Sequence, residues 1–217
     1  MRDTLTDITL LLDRTGSMQV VRGETITAVN TFIEEQKKVP GEANFTLVQF
    51  DSQDPFEVIQ RAVPIREARP LTAETYVPRA WTPLLDAIGR TINDAGARLG
   101  AIAEADRPGK VVLAIITDGL ENASREFSRA KILEMITHQR EAYKWQIVFL
   151  GANQDAIQEG ASFGIPKDAA LTYGATPAGV QAAYASLNQN MASYRVGASV
   201  NMAWSEEDRK KQKTARQ

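Results

Sequence analysis

Two apolar runs in this chain each end at an aspartate. Ile8-Thr9-Leu10-Leu11-Leu12 stops at Asp13, and Val111-Val112-Leu113-Ala114-Ile115-Ile116 stops, after Thr117, at Asp118. Near-continuous apolar runs of this length are the pattern of strands buried on both faces in the middle of a parallel sheet. Shorter runs predict further strands over 44–50, 145–150 and 169–173, and residues 56–65 read as one more. The turn Asp51-Ser52-Gln53-Asp54-Pro55 is too short for a parallel crossover, so the strand after it should be an antiparallel edge.

Helical spacing fills the intervals. Residues 21–38 place Val29 and Ile33 on one stripe and end at Pro40-Gly41. A second helix begins near Pro83 and should bury Leu84, Leu85, Ile88 and Ile92, with Ala95 and Leu99 on the same side. Others are predicted over 128–143, briefly over 155–160, and from Thr176-Pro177 to about residue 194. Thr82 and Thr176 each stand before a proline, the signal of a helix N-cap followed by its first turn. Alternating strands and helices predict an α/β fold, doubly wound, with a mostly parallel six-stranded sheet and helices on both faces. Residues 66–80 lack a period and carry Pro70 and Pro78, which makes them a long loop. One domain is expected over 1–204. The charged stretch 205–217 is expected as a frayed helix or a disordered tail.

Composition narrows the chemistry. The chain has 217 residues, no cysteine and a single histidine, His138. Disulfides, thiolate metal sites and cysteine nucleophiles are excluded, and one histidine cannot build a His-rich zinc site. His138 lies inside a predicted helix, where a packing or surface role is expected. A formal net charge of −2 argues against a nucleic-acid groove. No apolar segment has the length of a membrane span. The N-terminus, broken by Asp3 and Asp7, reads as a first strand and not as a signal peptide. Together with the absence of cysteine, this sets an expectation of cytoplasmic use.

Parallel strands that end together bring their terminal loops to one edge of the sheet, where open α/β folds place ligands. Asp13 is followed at the second and fourth positions by the hydroxyls of Thr15 and Ser17, in a loop opened by Gly16. Two carboxylates, Asp13 and Asp118, with hydroxyls beside them make an all-oxygen set suited to a hard divalent cation. Thr82 can add a third hydroxyl from a neighbouring loop.

The pattern Asp13-x-Thr15-x-Ser17, then Thr82, then Asp118-Gly119 resembles the metal-ion-dependent adhesion site of von Willebrand factor type A domains. In that family the motif is Asp-x-Ser-x-Ser with a separate threonine and a separate aspartate. Here Thr15 stands where serine is usual and Trp81 where glycine often precedes the threonine. The resemblance covers roughly residues 5–195 in element order. It implies a metal site of Asp13, Thr15, Ser17, Thr82 and Asp118 holding Mg²⁺, with Mn²⁺ or Ca²⁺ as alternatives. It also implies a non-enzymatic module whose metal accepts a Glu or Asp from a partner protein.

The alternative reading is a Mg²⁺-dependent phosphatase-like hydrolase or phosphotransferase with Asp13 as nucleophile. That chemistry needs a second acid where Thr15 stands, and no suitably placed lysine is apparent. Glu121, Asn122, Asn153 and Asp155 come after strands at the same edge and could shape the metal's surroundings. Trp81 could anchor a partner or pack beneath its own loop.

Overall fold

The computed structural model describes residues 1–152 and 155–215. Six strands form one sheet in the order β3-β2-β1-β4-β5-β6: β1 (Arg2–Asp13), β2 (Glu42–Phe50), β3 (Glu57–Pro64), β4 (Pro108–Thr117), β5 (Gln146–Ala152) and β6 (Ala170–Tyr173). All pairs are parallel except β2 with β3, the predicted antiparallel edge. The two aspartate-ending runs are neighbours at the centre, with Leu12 opposite Ile116.

Both faces of the sheet are covered. On one, Ile8, Leu10 and Leu12 of β1 join a core with α1 (Arg22–Lys38) and α5 (Pro177–Arg195). On the other, Leu11, Leu113 and Ile115 pack against α2 (Leu84–Gly100), α3 (Arg129–Tyr143) and α4 (Ala156–Ser162). This is why the central runs lack alternation: successive side chains point into two different cores. Leu84, Leu85, Ile88, Ile92, Ala95 and Leu99 of α2 are all buried, as their spacing predicts.

The expectation for the C-terminal stretch needs correction in detail. Residues Glu206–Ala215 form a helix, α6, docked against α5 and β6. Its start is capped locally: Ser205 Oγ donates to Asp208 Oδ2 at 2.7 Å, and Asp208 N–H donates back to Ser205 Oγ at 3.1 Å. Arg209 reaches across to the carbonyls of Ala170 and Lys167. Among the described residues, no helix is long and apolar enough to cross a membrane.

Candidate metal centre

Asp13 closes β1 with a fully buried side chain. Its Oδ1 accepts the Thr15 N–H at 2.7 Å, and its Oδ2 accepts the Thr117 hydroxyl at 2.5 Å. The first bond folds the chain sharply after the strand, and the second ties β1 to β4. Burial pushes the Asp13 carboxyl up to about 7, against the lowering effect of the Thr117 and Thr15 hydrogen bonds, and the charge of Asp118 adds to the rise.

The turn after Asp13 delivers the hydroxyls. Thr15 Oγ1 lies 3.2 Å from Ser17 Oγ, which donates to Asp118 Oδ1 at 2.6 Å. Burial raises the Asp118 carboxyl and the Ser17 hydrogen bond lowers it, with burial prevailing. A Cβ placed on Gly119 would lie 3.0 Å from Thr82 Oγ1 and 3.8 Å from Ser17 Oγ. Both hydroxyls therefore face the same glycine, whose missing side chain leaves them room. Thr15 and Thr82 are buried whereas Ser17 is exposed, so the cluster opens to solvent on the Ser17 side. The structure thus brings together all of the predicted residues: Asp13, Thr15, Ser17, Thr82 and Asp118.

The donor set fits a small hard cation. Adjacent ligands of an octahedral ion with bonds of 2.0–2.1 Å are about 3 Å apart. The Thr15–Ser17 and Ser17–Asp118 separations of 3.2 and 2.6 Å lie on either side of that spacing. Among the described residues there is no group of three or more His, Cys, Asp or Glu that could hold a metal. The cluster here offers two carboxylates and three hydroxyls instead.

Thr82 does not cap α2, contrary to the Thr-Pro signal. The helix begins at Leu84, with no side-chain cap from Pro83. Its free amides are taken by the loop after β4: Leu85 N–H donates to Glu121 Oε2 at 2.9 Å and Asp86 N–H to Ser124 Oγ at 3.1 Å. Thr82 itself is clamped through its backbone, its N–H to Asn122 Oδ1 at 2.8 Å and its carbonyl to Asn122 N–H at 3.1 Å. Supplying the cap from elsewhere leaves the Thr82 hydroxyl out of the helix start. Thr82→Ala should therefore cost less than the typical ~1 kcal/mol of a lost cap in a denaturant titration.

Glu121 and Asn122 thus build the rim. Asp155 caps α4, accepting from Ile157 and Gln158. Asn153 lies outside the described residues.

Several supports of the site carry no local sequence signal. Arg14 and Asp51 are both buried. Asp51 Oδ2 accepts from Arg14 Nε and Arg79 Nε, each at 2.9 Å, while its Oδ1 accepts the N–H groups of Gln53 and Asp54. Arg14 also contacts Gln49 at 3.2 Å and pairs with Glu57. One carboxylate therefore holds the Asp13–Ser17 turn and the approach to Thr82 together. Backbone bonds reinforce the link, from Arg79 N–H to the Arg14 carbonyl and from Gly16 N–H to the Ala80 carbonyl. Tyr76, buried in the long loop, donates its hydroxyl to the Asp13 carbonyl at 2.7 Å.

On the far wall, Asp86 accepts the N–H groups of Arg125, Glu126 and Phe127. The Phe127 ring rests on Gly89, where a Cβ would come within 2.7 Å of three ring carbons. Gly→Ala within a helix usually gains about 1 kcal/mol. Gly89→Ala should instead lower the melting temperature, because overpacking costs about 1–3 kcal/mol.

The geometry disfavours Asp13 as a nucleophile. Both of its oxygens are engaged and none of its surface reaches solvent.

No protein-family profile and no curated protein sequence matches this chain. Solved structures do. Proximal thread matrix protein 1 from the mussel byssus, with a zinc-occupied MIDAS motif, superposes with a TM-score of 0.58 at 15% identity, over 84% of this chain and 47% of that one. A von Willebrand factor type A protein from Catenulispora acidiphila gives 0.56 at 12% identity, over 91% and 44%. The pilus adhesin SpaC from Lactobacillus rhamnosus GG gives 0.64 at 13% identity, over 88% and 30%. The chain spans less than half the length of each of these structures.

The expectation of cytoplasmic use is corrected by these likenesses. A byssus thread matrix protein and a pilus adhesin work outside the cell. The expectation rested on the absence of cysteine and on reading the first residues as a strand, and a fold with a core of this size needs no disulfides in any compartment. Strand order, the helices on both faces and the superpositions agree: this chain is a domain of the von Willebrand factor type A fold.

Proposed function

We propose that this domain is a divalent-metal-dependent protein-interaction module. Asp13, Thr15, Ser17, Thr82 and Asp118 would hold Mg²⁺, or Mn²⁺ or Ca²⁺ in its place. The observation that carries this reading is the run of oxygens from Thr15 through Ser17 to Asp118, spaced as ligands of one ion and open to solvent at Ser17. When bound, the ion supplies an electrophilic position for an outside carboxylate. Asp13 and Asp118 balance its charge, and the three hydroxyls add none, so the site keeps affinity for an acid from a partner protein. Support comes from the byssus protein that shares the fold, whose MIDAS motif is occupied by zinc. The non-enzymatic reading is supported by the matrix and adhesin proteins that share the fold, and by the engagement of both Asp13 oxygens.

Calorimetric titration with Mg²⁺ tests the first step. Wild type should bind. Thr82→Ala should keep its fold and lose affinity by about 10-fold or more, the scale of a lost contact at a metal site. Equal binding by the two proteins would remove Thr82 from the site. No binding by wild type would reduce the cluster to a structural hydrogen-bond network.

A further inference from the structure

Beside the candidate metal centre lies a groove of about 730 Å³, walled by Ser52, Pro55 and Trp81 on one side and by the loop from Asn122 to Glu126 on the other. Trp81 is 69% exposed, whereas Trp145 and Trp204 are buried. Its ring is free but its backbone is not. Trp81 N–H donates to Ser52 Oγ at 3.2 Å, and its carbonyl accepts the Ser52 N–H at 3.0 Å. The opposite wall is equally fixed. Glu121 accepts the N–H groups of Ala123 and Ser124, and Asp86 accepts those of the next three residues.

The groove's lining carries Asp86, Arg90, Arg125 and Glu126, two charges of each sign, but they are not equally engaged. Asp86 is committed to backbone amides, and Glu126 is paired with Arg90 at 2.7 Å. Arg125 is exposed, and among the described residues its guanidinium has no ion pair. An exposed indole on an immobilised backbone, between the proposed metal centre and an arginine without an ion pair among the described residues, fits one kind of occupant. Because neither wall needs ordering, binding avoids much of the entropic cost of forming a surface.

Building on the proposed metal site, we infer that this groove receives the partner's chain next to its metal-binding acid. The occupant is a short acidic-apolar segment. Its first carboxylate goes to the metal, a large apolar side chain lies against Trp81, and a further carboxylate meets Arg125. Trp81 is the aromatic anchor that sets which acid-bearing partners are accepted.

The test uses a displayed library of random dodecapeptides, selected on the whole chain in Mg²⁺ and again in chelator. The Mg²⁺ pool should be enriched in acids next to large apolar residues. A synthesised winner should bind about 10-fold or more weakly to Trp81→Ala, the scale of an interface anchor. Trp81→Phe should recover part of the affinity, and Arg125→Glu should select against the second acid. Melting temperatures of these surface variants should match wild type. An acidic, Mg²⁺-dependent pool that binds Trp81→Ala and Arg125→Glu as well as wild type overturns the groove and leaves the metal reading intact. A pool of the inferred composition that binds equally well in chelator overturns the metal reading and leaves the groove. A library with no enrichment contradicts the groove, because a preformed surface needs no folded partner to capture a linear segment.

Discussion

Asp51→Asn should be among the most damaging single substitutions outside the hydrophobic core, although Asp51 touches no proposed ligand. It leaves the buried Arg14 guanidinium with Glu57 as its remaining carboxylate partner, so the cost should stay below the about 3–5 kcal/mol of a buried charge left wholly unpaired. Because the same carboxylate holds both Arg14 and Arg79, the Asp13–Ser17 turn and the Thr82 approach should loosen together. Mg²⁺ affinity should then fall with stability, by about 10–100-fold as for other supporting residues of metal sites. The pairing also sets a pH dependence. Burial pushes the Asp51 carboxyl up, but the Gln53, Arg79, Asp54 and Arg14 hydrogen bonds outweigh it and hold it below its ordinary value. In acid the unfolded chain takes up that proton first, so this stabilisation is full above about pH 4 and drains away as pH falls through the lower folded value. Urea denaturation across pH 2 to 6 should show the acid loss in wild type and a flatter profile in Asp51→Asn.

Asp118→Ala should separate function from stability in the opposite way. Metal binding should fall by at least about 100-fold, beyond what supporting residues of a metal site usually cost. Without metal the variant should be as stable as wild type or more so. Asp118 lies near enough to Asp13 for its charge to disfavour ionisation there, and removing one of two neighbouring carboxylates relieves that repulsion. Paired thermal melts in chelator and in Mg²⁺ would show it: similar or higher in chelator, with no upward shift in Mg²⁺. A large loss of stability in chelator would make Asp118 chiefly a structural acceptor for Ser17.

The strands and the clustering of the candidate site residues were legible for the same reason. Runs such as Leu10-Leu11-Leu12 carry their burial in their composition, and the loop after a central parallel strand must emerge at one edge of the sheet. Asp13, Thr15, Ser17 and Asp118 sit within a few residues of such ends, so local sequence placed them. The supports of the site did not show in this way. Glu121 and Ser124 cap a helix that starts nearly forty residues earlier in the chain, at Leu84, and Asp51 meets Arg14 across two strands. No local pattern encodes those meetings. The Thr82-Pro83 signal misled because the cap it advertises is provided from that distant loop. The helix α6 was obscured by its charge, although Ser205 with Asp208 three residues later resembles a capping box.

The central claim is that the oxygens of Thr15, Ser17, Thr82 and Asp118 surround a cation, with Asp13 behind them. Crystals grown with Mn²⁺ and measured for its anomalous signal address this directly. A single strong peak is expected about 2.2 Å from Ser17 Oγ, close to the bond lengths of hard divalent ions. That peak should be absent from Asp118→Ala. A peak elsewhere on the molecule, or none at saturating Mn²⁺ with the Ser17–Asp118 hydrogen bond still in place, would contradict it.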